Sequence, residues 1–330
     1  MKVLFIYRHK RTFVEKDIEL LKKHYDVVPF FFSFSKLLQL RRELKKCDVV
    51  FIWFASFHAY ITAKMTKKPM IVVTGGYDVA GERSIRYGLM LNPVYRHMVK
   101  YVLKKAKKIL AVSEFNKGEI EKYLGINNAE VIYNVIDHNK FIPGSKKQKI
   151  ILTVGFIKDE TWVRKGIDTF VEAAQLFNLH EIPGRFVVVG KIADSMKERV
   201  KHVEKNTPNI TFTGFIPDEE LLKWYQKAKV YCQLSIYESF GVAPSEAMAC
   251  GCVPVVSNRG ALPEVVGDVG FYVDLQHLCI TEQAILNALK SRRCKKARKR
   301  VIDNFSDEHR ERKLKRILDE YDTKKISDDC

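Results

Sequence analysis

The most informative part of this 330-residue sequence is VYCQLSIYESFGVAPSEAMACGCVPVVSNRGALPEVVGDVGFYVD, residues 230–274. The apolar run Val230–Leu234 predicts a buried strand, and the pattern of Val242–Ala249 predicts a helix. Pro244 fits the first turn of that helix, and Gly251 fits the position after its last turn. The segment therefore predicts a strand–loop–helix unit whose helix begins near the carboxyl end of the strand.

Two acidic residues eight positions apart, Glu238 and Glu246, lie in this unit. Glu246 is poorly explained as a helix-capping acid, because the residue three positions earlier is Ala243, which has no hydroxyl. A solvated loop carboxylate is the alternative interpretation of Glu238. The first backbone N–H groups of the helix form a candidate site for a phosphate or a sugar hydroxyl. The residues that offer these groups are Ser239, Phe240, Gly241 and Val242.

Short β-branched or aromatic runs alternate with amphipathic helical segments along the rest of the chain. Strands separated by helices of this length form parallel sheets through right-handed crossovers. The predicted strands of the first half are Lys2–Tyr7, Asp26–Phe30, Val49–Phe54, Pro69–Thr74, Lys108–Val112 and Glu130–Tyr133. Those of the second half are Ile150–Val154, Arg185–Val189, Asn209–Thr213, Val230–Leu234 and Val253–Val256. The fold class is therefore α/β, with two Rossmann-like, doubly wound domains that face a cleft.

A stretch without periodicity, FIPGSKKQK at residues 141–149, is typical of a linker. We therefore expect a basic first domain over 1–142, a linker over 143–149 and a second domain over 150–306. The pattern of Asp307–Tyr321 predicts a last helix. The basic run before it, 290–300, is typical of a solvated helix face.

The composition is that of an ordinary globular protein, with 46% hydrophobic and 29% charged residues. It excludes a disordered or fibrous chain. The seven cysteines form no CxxC pair, and the first apolar run is interrupted at Arg8 after six residues. These features predict a reduced, cytosolic protein without a secretory signal.

The positive charge is concentrated in the first half of the chain. Residues 1–150 hold 29 Lys and Arg against 13 Asp and Glu, a net charge of +16, whereas residues 151–330 carry +2. Such a division predicts an anionic partner, and a lysine-rich soluble surface is the alternative. No helix-turn-helix, zinc-finger or RNP pattern accompanies the charge, so we do not expect nucleic acid to be the partner.

A membrane surface is a second candidate partner. The apolar stretch Val49–Ala63 is too short to span a bilayer. The segment Ser33–Cys47, however, combines leucines with basic residues, as interfacial helices do. A crossover helix packed on the sheet with a basic outer face is the alternative. The candidate membrane-binding residues are Phe32, Phe34, Arg41, Arg42, Lys45 and Lys46.

The motifs around Glu238 resemble those of the retaining glycosyltransferases related to glycogen synthase, sucrose-phosphate synthase and bacterial mannosyltransferases. This family, the glycosyl transferases group 1, shares the two-domain GT-B fold. The resemblance rests on the E-x7-E pair, on GCVPVV at 251–256 and on GALPE at 260–264. It extends to VSEFNK at 112–117, NVIDHNKF at 134–141, FTGFIP at 212–217 and the last helix. By this resemblance, residues 307–330 return to the first domain.

The resemblance implies a role for each candidate residue. Glu246 would accept hydrogen bonds from the ribose of a nucleotide sugar, and Glu238 would face the transferred sugar. Lys165 would stabilise the departing diphosphate. Asp78, the retained acid of a V-x-H-G-x-D segment, completes the candidate catalytic set. The other candidate donor-binding residues are Arg164, Gly155, Ser239, Phe240, Gly241, Val242 and Ile216.

The sequence departs from the family pattern at three places. Phe156 stands where the family usually has an arginine, and we expect Arg164 to replace that guanidinium. Gly75 occupies the place of a catalytic-site histidine. A basic loop that begins at Arg8 replaces the glycine-rich loop after the first strand. The candidate acceptor-side residues are Arg8, His9, Gly75 and Gly76.

The resemblance implies an enzyme that moves a hexose, with retention, from a nucleoside-diphosphate sugar to an acceptor. A lipid-linked or phosphorylated acceptor fits the charge, at the cytosolic face of a membrane to which the cytoplasmic protein binds peripherally. No cofactor is expected, and no metal, because the sequence has no D-x-D triad. The alternatives are a glycosyl phosphorylase of the same fold and a catalytically silent relative that binds nucleotide sugar.

Overall fold

The computed structural model of the protein describes residues 1–275 and 277–322. The chain forms two compact units. The first contains Met1–Val135 and the chain from Asp307 onward, and the second contains Ile136–Ser306. The change of unit falls ahead of the expected linker. One reason is that the Ile136 N–H donates to the Phe305 carbonyl, 2.9 Å away, and so joins the second unit.

The first unit is a parallel sheet of six strands with helices between them. Its strands are β1 (Lys2–Tyr7), β2 (Asp26–Phe31), β3 (Val49–Trp53), β4 (Met70–Thr74), β5 (Lys108–Ala111) and β6 (Glu130–Val131). Its helices before residue 136 are α1 (Thr12–Lys22), α2 (Leu37–Lys46), α3 (Phe57–Met65), α4 (Pro93–Lys105) and α5 (Glu114–Leu124). The strand order is β2-β1-β3-β4-β5-β6, with every neighbouring pair parallel.

The second unit repeats this architecture. Its strands are β7 (Gln148–Val154), β8 (Arg185–Val189), β9 (Ile210–Phe212), β10 (Ala228–Gln233), β11 (Val253–Ser257) and β12 (Phe271–Val273). Its helices are α6 (Asp159–Arg164), α7 (Ile167–Leu179), α8 (Lys197–Asn206), α9 (Asp218–Lys227), α10 (Val242–Ala249), α11 (Leu262–Val266), α12 (Leu278–Lys290) and α13 (Cys294–Phe305). The order β12-β11-β10-β7-β8-β9 places β10 and β7 at the centre of a parallel sheet.

The central strands are the most apolar parts of the chain because helices cover both faces of a parallel sheet. All five residues of β3 and all five of β4 are buried, as are the five of β11. Each predicted strand is present, with ends shifted by at most a few residues. The carboxyl ends of these strands carry the loops in which the candidate site residues lie.

Five elements were not predicted from the sequence: α3, α6, α11, α12 and β12. Helix α3 begins in the apolar stretch Val49–Ala63 and ends at Met65, and its apolar residues form no amphipathic pattern. Its four buried residues, His58, Ala59, Thr62 and Ala63, lie on one face and include two polar side chains. Helix α6 has only six residues and is too short to show a period.

The last helix, α14 (Asp307–Asp319), belongs to the first unit. Arg310 on this helix is buried, and its guanidinium pairs with the fully buried carboxylate of Asp17 on α1, at 2.8 Å for one of the two contacts. Arg310 also donates to the carbonyls of Ile132 and Tyr133. Trp53 donates its indole N–H to the same carboxylate, at 2.8 Å. The chain therefore returns to its first unit, as the resemblance implies.

Across the described residues, 1–275 and 277–322, no helix combines the length and the apolar character that crossing a bilayer requires.

Candidate functional site

Glu238 lies in the loop between β10 and α10, at the carboxyl edge of the second sheet. Its side chain is 16% exposed, and its Oε1 atom is 3.4 Å from the Lys165 ammonium and 3.4 Å from the amide nitrogen of Gln233. Lys165, 73 positions away in sequence, and Gln233, five positions away, therefore meet at one carboxylate oxygen. The alternative interpretation of Glu238, a solvated loop carboxylate, is wrong, because its side chain is mostly buried and contacts these two residues.

The loop that contains GALPE contacts the main chain of Glu238. Gly260 has a φ of 61°, in the left-handed region that favours glycine, and a Cβ there would lie 2.4 Å from the Glu238 carbonyl oxygen. The next residue, Ala261, donates its N–H to that carbonyl at 2.9 Å. The close approach of the two loops requires glycine at this position and fixes the backbone of Glu238.

Lys165 connects α6 to α7 and lies directly over Gly155, at the end of β7. A Cβ at Gly155 would lie 2.7 Å from Cδ of Lys165, so the absence of a side chain there makes room for the lysine. Arg164, the preceding residue, is half-buried, and its carbonyl accepts from the Ile236 N–H at 2.8 Å. Lys165 thus reaches Glu238 across the loop that follows β10, whereas Arg164 is held to that loop by its main chain.

Glu246 is a half-buried carboxylate in the middle of α10, and the hydroxyl of Tyr225 on α9 donates to it at 3.1 Å. Burial raises the pKa of Glu246 to about 7, against the lowering effects of the Tyr225 hydrogen bond and the more distant Lys140. The same buried carboxylate contributes to a pKa of Tyr225 well above the usual range, after burial itself. Glu246 is therefore an acceptor whose charge changes near neutral pH.

The four residues at the start of α10 differ in what they can contribute. The phenyl ring of Phe240 is buried and packs edge-on against Phe305, 5.2 Å between centroids. Only its main chain can therefore face a ligand. Gly241 precedes the first turn, which begins at Val242, and Ser239 is half-buried. The first N–H groups of a helix have no partner inside it, which suits an anion or a hydroxyl.

Three strand-end glycines lie side by side at the same edge of the second sheet. The Gly155 N–H donates to the carbonyl of Val189 on β8, and the Gly190 N–H donates to the Gly214 carbonyl at 3.1 Å. Ile216, two residues beyond Gly214, is half-buried and packs on the apolar cluster below the sheet. The neighbouring Phe215 is 78% exposed. This edge therefore presents main-chain groups beside an exposed aromatic ring.

In the first unit, the Asp78 carboxylate is buried and accepts hydrogen bonds from the main chain. Its side chain is 1% exposed. One carboxylate oxygen accepts from the N–H groups of Gly75 and Gly76, at 3.1 and 2.9 Å, and the other accepts from Ala55 at 2.8 Å. Burial raises the pKa of Asp78, against these hydrogen bonds. The position gives Asp78 the role of fixing two strand-end loops, which the sequence did not predict.

The glycine in place of the family's histidine has a steric reason in this chain. A Cβ at Gly75 would lie 2.1 Å from Cε1 of Phe54, so a larger side chain requires Phe54 to move. Phe54 has a φ of 71°, which is strained for a residue with a side chain. Phe54 therefore fills the space beside Gly75, and no pattern in the sequence indicated this.

The basic loop after β1 is exposed at Arg8 and His9. The pKa of His9 is lowered, first by partial burial and then by Arg11 and Arg8. His58 is buried, and its ring nitrogens contact the Trp53 carbonyl at 2.8 Å and the Ser56 hydroxyl at 2.9 Å. Burial lowers the pKa of His58 to about 4, so it is a neutral structural residue.

The prediction that Phe32 contacts a membrane is wrong, because its side chain is 3% exposed and lies in the core. Leu40 and Leu44 on α2 are also core residues, so this helix packs on the sheet as the alternative interpretation held. Its outer face remains basic, and Phe34 is 54% exposed beside it. The exposed basic residues of that face are Arg41, Arg42, Lys45 and Lys46.

Within the described part of the chain, no group of three or more His, Cys, Asp or Glu is placed to hold a metal ion. The site residues that sequence reasoning missed are Tyr225, Gln233 and Phe54. Of these three, Gln233 left a signal, since a polar amide within the run VYCQL at 230–234 is unusual for a buried position.

Two family models together cover nearly the whole chain. Residues 135–321 match glycosyl transferases group 1, and residues 6–140 match glycosyltransferase family 4. The chain belongs to the glycosyl transferases group 1 family. This is the class of protein that its fold and its pair of carboxylates define.

Individual relatives agree with this assignment. Over 206 residues the chain is 30% identical to the O-antigen chain mannosyltransferase B of Escherichia coli, which covers 57% of this chain and 53% of that protein. It is 28% identical over 213 residues to the serotype-specific mannosyltransferase WbdA of Escherichia coli, covering 57% of this chain and 26% of WbdA. The chain thus matches between a quarter and about half of the length of these relatives.

A solved structure extends the likeness in fold to both units. HepE of Anabaena, in complex with UDP, superimposes with a TM-score of 0.78 over 97% of this chain and 100% of HepE, at 15% sequence identity. The protein therefore has the GT-B fold, with two parallel α/β units of the kind described above.

Proposed function

We propose that the protein is a retaining glycosyltransferase that moves a hexose from a nucleoside-diphosphate sugar to an acceptor hydroxyl. The observation that carries this proposal is the convergence of Glu238, Lys165 and the amino terminus of α10 at one edge of the second sheet. The mannosyltransferases among its relatives support a hexose, and the complex of HepE with UDP supports a nucleoside-diphosphate donor.

Each residue has a defined task in this reaction. Glu246 accepts hydrogen bonds from the vicinal hydroxyls of the ribose, and the main-chain N–H groups at the start of α10 hold the sugar and the distal phosphate. Lys165 neutralises the charge that grows on the diphosphate as its bond to the anomeric carbon breaks. Glu238 holds the sugar and the positive charge that develops at that carbon.

The chemistry requires no nucleophile from the protein. The bond from the anomeric carbon to the diphosphate oxygen breaks, the acceptor oxygen bonds to the same face, and the acceptor proton passes to the departing diphosphate. The configuration is therefore retained. The protein contributes orientation and electrostatic stabilisation, and no metal is part of the proposal.

Substitution of the two carboxylates tests the assignment. Glu246→Ala is expected to weaken nucleotide-sugar binding tenfold or more, since a hydrogen bond to a charged group contributes about 1.5–3 kcal/mol. Glu238→Ala is expected mainly to lower kcat, because contacts at the reacting carbon strengthen in the transition state. UDP-glucose and GDP-mannose are the donors to test, with calorimetry for binding and product release for turnover.

Glu219→Ala, which removes an exposed carboxylate on α9, is the matched control and should leave both quantities unchanged. Proton NMR of the product reports its anomeric configuration. Wild-type kinetics in both folded site variants would overturn the assignment, and an inverted product would overturn retention alone.

We further propose that the acceptor is lipid-linked and that the first unit binds an anionic membrane surface. The support is the net charge of +16 over residues 1–150, together with the exposed basic face of α2 and the exposed Phe34 and Leu38 beside it. Each basic residue near an anionic bilayer contributes about 1 kcal/mol to binding. The attraction decreases with distance from the surface over about one Debye length.

Liposome co-sedimentation tests this second proposal. The protein should bind vesicles that contain phosphatidylserine in low salt and be released by high salt. A variant with Arg41, Arg42, Lys45 and Lys46 changed to serine should lose most of this binding. The matched control changes the four exposed lysines 290, 295, 296 and 299 of the second unit to serine. Equal binding to neutral vesicles, or an equal loss in the control, would contradict the proposal.

A further inference from the structure

Gln233, the last residue of β10, is a fully buried polar side chain beside the site. It shares a face of the strand with Tyr231, two residues earlier, because side chains alternate along a strand. A buried amide must satisfy its hydrogen bonds within the protein. Its partners therefore show what it does.

The chemistry of those partners fixes the orientation of the amide. The Tyr231 hydroxyl contacts the side-chain oxygen of Gln233 at 2.9 Å, and the amide nitrogen contacts the Ser235 hydroxyl at 2.7 Å and Glu238 Oε1 at 3.4 Å. An ionised carboxylate can only accept hydrogen bonds, so the nitrogen must be the atom that faces Glu238. The hydrogen bonds then run in one direction, from Tyr231 through Gln233 to the carboxylate.

Both contacts to Glu238 fall on the same oxygen. Lys165 Nζ also lies 3.4 Å from Oε1, and Lys165 comes from the segment between α6 and α7 rather than from β10. A lysine on a flexible side chain can follow the carboxylate as it rotates, whereas an amide held by Tyr231 and Ser235 cannot. Gln233 is therefore the rigid member of the pair.

We infer that Gln233 is a positioning residue, which holds Oε1 of Glu238 so that Oε2 is the oxygen presented to the transferred sugar. This inference deepens the proposed function and rests on it for the identity of the sugar. Gln233 itself does not touch substrate.

Gln233→Met tests the inference, because it keeps the length of the side chain and removes both amide groups. We expect kcat with UDP-glucose or GDP-mannose to fall about tenfold, which corresponds to one hydrogen bond to a charged group. KM for the donor should stay within twofold. Cys232→Ala is the matched control, since Cys232 is equally buried on the same strand and faces the other side of the sheet.

A double-mutant cycle separates positioning from a general packing defect. In a Glu238→Gln background, adding Gln233→Met should leave kcat unchanged, because the carboxylate that it orients is already absent. Multiplicative losses in the cycle, or a wild-type kcat in Gln233→Met, would overturn the inference. If Gln233→Met fails to fold, Tyr231→Phe replaces it as the test, because it removes the hydroxyl that orients the amide. This variant should also lower kcat.

A crystal structure of Gln233→Met with UDP gives a readout that does not depend on turnover. The side chain of Glu238 should leave the orientation that it has in the wild-type crystal with UDP, whereas in Cys232→Ala it should not. An unmoved Glu238 overturns the inference even in an active enzyme. A wild-type protein without turnover overturns the proposed function, and the position of Glu238 then decides the inference alone.

Discussion

The two carboxylates of the E-x7-E pair have different surroundings, because Glu238 lies in the loop before α10 and Glu246 lies in the middle of that helix. Glu238 has an ammonium and an amide at one oxygen. Glu246 accepts from a tyrosine hydroxyl, and burial raises its pKa to about 7. Two residues of one chemical type can therefore take different roles, because their environments differ.

The raised pKa of Glu246 makes stability depend on pH. The folded protein holds this proton up to about pH 7, whereas the unfolded chain releases it near pH 4.5. Stability contributed by this group is therefore full below about pH 4.5 and falls as the pH rises to 7. We expect Glu246→Gln to increase the free energy of unfolding at pH 8 by about 2 kcal/mol, and far less at pH 5.

Urea unfolding at both pH values measures this difference. Glu219→Gln, an exposed substitution of the same chemistry, should show no such pH dependence. A Glu246→Gln variant that is no more stable than the wild type at pH 8 would contradict this prediction. It would show that ionisation of this carboxylate does not destabilise the folded protein.

At the scale of elements, the basic run of α13 is divided between two tasks. Its lysines are exposed, as is Arg292 just before the helix, which is expected of a solvated face. Its half-buried arginines instead donate to main-chain carbonyls. Arg298 donates to Phe141, Ala249 and His138, at 2.7, 2.7 and 3.1 Å, and Arg300 donates to the last turn of α11. A planar guanidinium can satisfy several carbonyls at once, which an ammonium does less well.

Loss of Arg298 should therefore affect both stability and the site. Arg298→Ala leaves the carbonyl at the end of α10 without this donor, and we expect it to lower the free energy of unfolding by about 2–4 kcal/mol. Nucleotide affinity should fall as well, because α10 carries Glu246. Lys299→Ala, at an exposed lysine that pairs with Asp303, should cost less than about 0.5 kcal/mol.

Chemical denaturation and calorimetry with UDP measure the two effects. Equal stability of the Arg298 and Lys299 variants would contradict this account of α13.

At the scale of the whole molecule, the chain closes its first unit with its last helix. The buried pair of Arg310 and Asp17 joins residues almost 300 positions apart, and α14 contributes Leu314, Ile317 and Leu318 to the core. A buried ion pair adds little by itself, but removal of one partner leaves an uncompensated buried charge. The pair therefore specifies where α14 packs.

Arg310→Met is expected to lower the free energy of unfolding of the first unit by about 3–5 kcal/mol. The double variant with Asp17→Leu should recover part of that loss, because the isolated charge is then removed while the Trp53 N–H remains unpaired. Arg312→Met, at an exposed position on the same helix, is the control. Urea unfolding followed by circular dichroism measures these stabilities. An Arg310→Met variant as stable as the wild type would contradict the role of this pair.

Local pattern alone determined most of the architecture. Alternating strands and helices predicted both parallel sheets, since apolar strands with covering helices have few other arrangements. The motifs and the family resemblance together supplied the candidate carboxylates, lysine and glycines of the site, and their roles stay predictions. The pattern was insufficient for α3, whose buried face includes the polar residues His58 and Thr62, and for Phe32, because a core phenylalanine and an interfacial one have the same hydrophobicity.

Only the tertiary structure decided which side chains meet and which are buried. It brought Lys165 and Gln233 to one oxygen of Glu238, and it buried Asp78 against the main chain. It also placed Phe54 in the space beside Gly75. The physical reason is that hydrophobicity and propensity act over a few residues, whereas burial and hydrogen-bond partners depend on which segments the folded chain brings together.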